Sequence, residues 1–258
     1  QKIEKIKTFT YLGGHHFSKK YGYTFNEINK LQITNKIKSK VILRNTNEIE
    51  TTKYISTFLN EIKNNFIKIK PDLVVLLGDR YELQSVAITS FSLKIPILHL
   101  HGGELTQGAF DDVIRHVITK YSNYHFVSHN LYKKRVIQLG EQPQSIFNFG
   151  AIGAEIAKKS KIKSFGLLES KYNIYKKKYF LITIHPETNN LRNSIKYLDN
   201  LLKTVTKLTN FKCIFTANNN DTKGDFFIRK IKTFCKKNAN SQLVYNLGSN
   251  EYFSLARY

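Results

Sequence analysis

The stretch HLHGGELTQGAFDDVIRH, residues 99–116, holds three histidines, a glutamate, two adjacent aspartates, an arginine and three glycines. Imidazoles and carboxylates are the side chains that move protons near neutral pH, and a guanidinium is suited to holding anionic oxygens. Two shorter stretches carry the same residue types: GDRYE, with Asp79, Arg80 and Glu82, and IHPE, with His185 and Glu187. Each polar group follows directly on an apolar run, VVLL, ILHL or LITI. Ligands of open parallel sheets bind beyond the carboxyl ends of the strands, so these three runs describe acid–base groups delivered to one kind of place.

The elements that would deliver them alternate along the chain. A strand and turn lie at 8–14, a buried strand within PDLVVLLGDR, a helix at 82–93 and a strand at 95–100. A helix at 111–122 follows, then the strand YHFVSH, a helix closing at Gly140 and a strand ending at Gly150. A lysine-rich polar stretch from about 158 to 178 interrupts the pattern. It restarts with the strand YFLITI, a helix at 190–208, the strand KCIFTA, a helix at 224–236, the strand QLVYNLG and a helix beginning near Asn250. Strand–helix alternation of this kind predicts an α/β protein with parallel sheets. The interruption divides it into two Rossmann-like domains, 1–163 and 164–258.

Each polar residue also has a structural reading. Asp79 is a suitable N-cap for the helix after it, and Arg80 and Glu82 are ordinary solvated charges of a first turn. Gly102 and Gly103 either turn the chain or let backbone approach a ligand closely. Asp111 and Asp112 open a helix, where its dipole favours carboxylates, and their spacing to Arg115 and His116 permits a salt-bridged turn.

A net charge of +22 raises the question of nucleic acid. Only seven of the 41 basic residues are arginine; the lysines are scattered among Asn and Ile, with no zinc-finger spacing and no aromatic RNA-recognition signature. The field suits an anionic small substrate better. No apolar run approaches the roughly 20 residues of a membrane span. The two cysteines, Cys213 and Cys235, show no metal-ligand spacing, and the chain reads as cytoplasmic. It has no GxSxG, no P-loop and no metal-ligand cluster.

PDLVVLLGDRYE, IPILHLHGGELTQGAFDDVIRHVITKYS, YHFVSHNLYKKRVIQLGE and FNFGAIG resemble the hydrolysing UDP-N-acetylglucosamine 2-epimerases, including those of sialic and legionaminic acid pathways. The resemblance is tightest over 71–153 and extends from about Gly13 to the end, through TIHPET and IFTANNNDTKG. It implies a GT-B fold, two Rossmann-like domains facing a central cleft. It also implies loss of the C2 proton as UDP leaves C1, a glycal intermediate, then addition of water with protonation on the opposite face. The product would be free N-acetylmannosamine or a 6-deoxy-diamino relative, formed without metal or redox cofactor. Asp79, Asp111 and His185 match catalytic positions. His101 stands where some members carry an acid–base glutamate, so that role falls to His101 itself or to Glu104. Arg80, Glu82, Gly102, Gly103, Asp112, Arg115 and His116 are the substrate-binding candidates, with Arg115 on phosphate. A homo-oligomer, dimer or tetramer, is implied as well.

Family members start one strand earlier, with a GTRAD-like loop, and continue past YFSLARY into segments that hold diphosphate and uracil. The chain has no Met and begins at Gln1, so both ends are expected to be incomplete. The rivals are a non-hydrolysing epimerase, whose HGDT and VEAGLRT wording is not matched, a GT-B glycosyltransferase, and an inactive sugar-nucleotide binder.

Overall fold

The computed structural model describes residues 6–17, 23–31, 33–41, 48–107, 111–175, 178–187, 190–217 and 224–258. Two compact units make up the chain: Asn47–Lys159, and Gln1–Thr46 with Ser160–Tyr258. At the start of the chain, β1 (Phe9–Leu12) and β2 (Asn35–Lys38) form a parallel pair with the short helix α1 (Phe25–Lys30) between them in sequence.

The 47–159 unit opens on α2 (Glu48–Ile69), which the pattern reading left without an assignment. Its inward face is Tyr54, Phe58 and Ile62, a four-residue spacing that places all three on one stripe. Tyr54 stacks on Phe58 and meets Tyr81 edge-on, joining this helix to the next one. Then β3 (Val74–Leu77), α3 (Tyr81–Ser92), β4 (Ile97–Leu100), α4 (Asp111–Tyr121), β5 (Tyr124–Val127), α5 (Asn130–Gln138), β6 (Ile146–Asn148) and α6 (Ile152–Lys159) follow in strict alternation. The four strands form one parallel sheet in the order β3-β4-β5-β6. Alternate residues go to opposite faces of a strand, and in β3 Val74 and Leu76 are buried while Val75 and Leu77 are exposed. The buried pair packs with Ala87, Ile97, Ile114 and Ile118, so α3 and α4 lie on that face. A fully buried Ile such as Ile97 or Ile118 contributes roughly 1.5–3 kcal/mol.

In the other unit α7 (Phe165–Tyr172), β7 (Tyr179–Ile182), α8 (Leu191–Thr206), β8 (Lys212–Thr216), α9 (Gly224–Lys237), β9 (Ser241–Val244) and α10 (Gly248–Arg257) build a parallel sheet, β7-β8-β9. Central β8 is apolar on both faces, as a strand sandwiched between helices requires. Cys213 and Phe215 pack with α8 and α9 residues, whereas Ile214 packs with Leu168, Tyr172 and Leu255.

The stretch 158–178, expected as a polar interruption, contains α7. Its lysines hid a packed face: Phe165, Leu168 and Tyr172 meet the core while Lys171 points outward. No helix among the described residues is long and apolar enough to cross a membrane.

Candidate active site

The carboxyl ends of β3 and β4 are neighbours, because the sheet pairing continues past the strands: the Gly78 amide donates to the Leu100 carbonyl and the His101 amide to the Phe126 carbonyl. Asp79 and His101 therefore emerge from adjacent strand ends, as the sequence pattern required. Asp79 does not cap α3. Arg80 occupies the N-cap position in extended conformation, without a side-chain cap, and the Asp79 carboxylate instead accepts from Arg115 Nη2, 36 residues on. Arg115 thus pairs with Asp79 rather than with Asp111 one turn before it. The same Nη2 also donates to Thr106 Oγ1 at 3.1 Å.

The loop 101–107 is fastened at both ends. Asp112, expected to reach His116, accepts from the Thr106 amide at 2.9 Å. His116 Nδ1 is buried with no hydrogen-bond partner among the described residues. At the other end His101 adopts φ 65°, the left-handed region that non-glycine residues rarely occupy. That backbone turn accompanies a 2.6 Å contact between His101 Nδ1 and Glu104 Oε1. Ser128 Oγ also donates to Glu104 Oε1, which anchors the carboxylate from the end of β5. An imidazole whose Nδ1–H donates to a fixed carboxylate has Nε2 available as a base, the arrangement that orients histidine in hydrolytic triads. Both side chains remain partly solvent-accessible, 20% for His101 and 26% for Glu104.

Gly102 and Gly103 are buried. At Gly103, φ +77°, an added Cβ would lie 2.6 Å from the Tyr132 carbonyl oxygen and 2.8 Å from Val136 Cγ2. At Gly102 it would lie 3.0 Å from Thr119 Oγ1 and 3.1 Å from His99 Nδ1. The close approach these glycines permit is thus to α5 and to the His99–Thr119 pair. Arg135 Nη1 donates to the Gly103 carbonyl and completes the turn.

Arg80 and Glu82, substrate-binding candidates whose structural reading was a pair of solvated charges, form a two-bond pair at 3.1 and 3.2 Å, with the Glu82 side chain only 12% exposed. Asp111 and Asp112 sit in the first turn of α4, where the dipole favours them. His185 lies in the other unit, exposed, three residues past the end of β7. Near it the Thr183 and Thr216 hydroxyls bond at 2.5 Å across the ends of β7 and β8.

Sequence reasoning passed over His99. It is fully buried, with Nε2 2.8 Å from the Gly78 carbonyl and Nδ1 3.1 Å from Thr119 Oγ1. Burial lowers its pKa to about 4, and the charges of His125, Arg115 and His101 act in the same direction against the pull of the Gly78 carbonyl. The signal for it was the strand period: His99 shares the inward face of β4 with Ile97, so its ring is enclosed and must be satisfied locally.

Arg115 is the other residue with more to offer than its known contacts. It is 6% exposed, yet its Nε and Nη1 have no hydrogen-bond partner among the described residues. Unmet buried donors are costly, and these lie on the guanidinium already paired with Asp79.

The model of the UDP-N-acetylglucosamine 2-epimerase family matches residues 1–258. Over 247 residues the chain is 42% identical to a Campylobacter jejuni protein named GDP/UDP-N,N'-diacetylbacillosamine 2-epimerase (hydrolyzing), covering 95% of this chain and 64% of that one. It is 39% identical to polysialic acid biosynthesis protein P7 of Escherichia coli, over 95% of this chain and 63% of that protein. The chain therefore spans less than two thirds of the length of these curated relatives. Among solved structures, UDP-GlcNAc 2-epimerase from Neisseria meningitidis bound to UDP-GlcNAc superposes with a TM-score of 0.74 at 17% identity, covering 99% of this chain and 68% of that one. Parallel α/β units, strand-end acid–base groups and these matches lead to one conclusion: the chain belongs to the UDP-N-acetylglucosamine 2-epimerase family.

Proposed function

We propose that the protein is a hydrolysing 2-epimerase of a UDP-N-acetylglucosamine-type sugar nucleotide, releasing UDP and free N-acetylmannosamine or a 6-deoxy-diamino analogue. The observation that carries this reading is the His101–Glu104 pair, 2.6 Å apart on the loop whose Thr106 is bonded by Arg115. A base on this fastened loop is thereby joined to an anion-holding group on α4. The names of the Campylobacter jejuni relative and its kin support the hydrolysing branch and a diacetylated bacillosamine-type sugar.

In this reaction a base removes the C2 proton while the C1–O bond to UDP breaks, leaving a C1–C2 double bond in the glycal. Water then adds at C1 and a proton is delivered to the opposite face of C2. His101, oriented by Glu104, is the base or acid on one face; Asp79 and Asp111 are the carboxylates available for the other. Arg115 is assigned to the departing diphosphate, where negative charge grows. Arg80, Glu82, Gly102, Gly103, Asp112 and His116 line or support the substrate site, and His185 acts as a catalytic group from the second domain. The division into domains 1–163 and 164–258, a homodimeric or tetrameric state, and a cytoplasmic location for its free thiols Cys213 and Cys235 belong to the same proposal.

Incubating the intact protein with a panel of UDP- and GDP-linked N-acetylated sugars in heavy water tests it. The expected result is UDP (or GDP) with a free 2-epimerised sugar bearing deuterium at C2. A 2-epimer still attached to its nucleotide would establish the non-hydrolysing reaction instead, and transfer to an acceptor would establish a glycosyltransferase.

A further inference from the structure

A carbonyl oxygen can only accept a hydrogen bond, so His99 must carry its proton on Nε2 and donate to Gly78. Its Nδ1 is then a lone-pair acceptor, and the Thr119 hydroxyl donates to it. Gly78 immediately precedes Asp79, and Thr119 lies one helical turn after Arg115 on α4. His99 itself stands two residues before His101. The Arg115–Asp79 ion pair closes a ring that runs from Gly78 to Asp79, across to Arg115, along α4 to Thr119 and back through the imidazole.

We propose that His99 is the positioning residue of this site: its two hydrogen bonds hold the end of β3 and the helix α4 in the register that places Asp79 against Arg115 beside the His101 loop. The proposal rests on the functional reading above. Two features separate this role from that of a buried histidine that is merely satisfied. Both partners of the ring belong to segments that carry candidate catalytic groups, and the His99–Thr119 pair lies so close against Gly102 that even a methyl there would crowd His99 Nδ1 and Thr119 Oγ1. Burial keeps the imidazole neutral, which the Nδ1 acceptor role requires. The groups facing it are His125 from β5, Arg115 from α4 and His101 beyond β4.

The test uses the intact protein and three substitutions. Thr119→Val removes the donor at nearly constant volume, His99→Leu removes both bonds, and His99→Gln keeps an amide N–H able to reach the Gly78 carbonyl. Misplacing a reacting group by about 1 Å costs on the order of 10²-fold in rate. Thr119→Val and His99→Leu should therefore lower kcat by roughly 10- to 100-fold with KM nearly unchanged, and His99→Gln should recover part of it. In an Asp79→Asn background His99→Leu should cause little further loss, because both changes disable one unit. Wild-type kcat in Thr119→Val and His99→Leu, or losses that multiply with Asp79→Asn, would overturn the proposal. Should His99→Leu fail to fold, Thr119→Val, which keeps the ring in place, decides.

A second readout is independent of turnover. By 15N NMR, His99 should be the neutral Nε2–H tautomer between pH 7.5 and 5, and the buried Arg115 Nε–H should exchange slowly. Thr119→Val should accelerate that exchange; an unchanged rate, or the Nδ1–H tautomer, would overturn the positioning role. If wild type turns over none of the sugar nucleotides but these NMR results hold, the functional reading fails while the positioning network stands.

Discussion

Arg115 on α4 donates through Nη2 to the carboxylate of Asp79, two residues past the end of β3, and the same nitrogen touches Thr106 in the loop after β4. One buried guanidinium thereby ties together the segments that carry the acid–base candidates of the 47–159 unit: Asp79 after β3, His101 and Glu104 in the loop, and Asp111 on its own helix. Asp79→Asn keeps the shape and removes the charge. On the proposed reaction it should lower turnover by roughly the 10²–10⁴-fold typical of losing a general acid or base, with substrate still bound. Arg115→Leu leaves Asp79 without its partner and should destabilise the protein by roughly 3 kcal/mol, measured by urea unfolding. An Arg115→Leu variant as stable as wild type would show that the pair is dispensable to the fold.

The His101–Glu104 pair yields the sharper kinetic expectation. Glu104→Gln leaves the side chain's size unchanged but removes the charge that orients the imidazole and receives Ser128. If His101 acts through Nε2, kcat should fall by about 10²-fold or more while KM moves little. His101→Glu, which restores the residue of other family members, should retain partial activity, whereas His101→Ala should not. Equal activity in Glu104→Gln and wild type would move the acid–base role off this loop.

Much of this arrangement was legible in the residues. Strand ends before Asp79, His101 and His185, the parallel alternation and the helix starting at Asp111 all follow from apolar runs meeting polar groups. What was not legible depended on distance in the chain. For Asp79, read as a catalytic group, the structural alternative was a cap, because Asp before a helix often is one; nothing local announced a partner 36 residues away. α7 was hidden by lysines that decorate its outer face, although Phe165, Leu168 and Tyr172 keep a helical spacing. His99 was overshadowed by His101: the strand period would put both on one face, but β4 ends at Leu100 and the φ 65° turn takes His101 out of the strand.

The turn at Gly103 can be tested without any substrate. Its φ of +77° is unfavourable for a residue with a Cβ, and the nearest obstacle is the Tyr132 carbonyl, which is backbone and cannot swing aside. Gly103→Ala should therefore destabilise the protein by more than about 1 kcal/mol and displace the loop that carries Glu104. Thermal unfolding reads the first effect. A crystal structure of the variant with the loop unmoved and an unchanged Tm would refute both.

The unit containing the C-terminal helix makes a separate, pH-dependent prediction. Glu251 on α10 is 7% exposed and accepts from Lys163, from Lys171 at 2.8 and 2.9 Å, and from the Tyr172 hydroxyl. Burial alone would raise its pKa, but the bonds from Lys163, Lys171 and Tyr172 outweigh it and bring the carboxyl down to about 2. Tyr172 is pushed up in turn, by burial and then by the same bond. A carboxyl with a depressed folded-state pKa stabilises the protein above its unfolded value, here 4.5, and the contribution disappears as pH falls toward 2. The shift corresponds to at most about 3 kcal/mol, reduced by solvent screening because Lys163 and Lys171 are themselves about half exposed. Unfolding free energy should therefore fall between pH 5 and 2, and Glu251→Gln should lower it at pH 7 while flattening that acid limb. The amide leaves two ammonium groups beside a group that no longer carries charge, so the variant's deficit should be largest at neutral pH and vanish near pH 2. Parallel wild-type and Glu251→Gln curves across that range would mean that the network contributes nothing through charge.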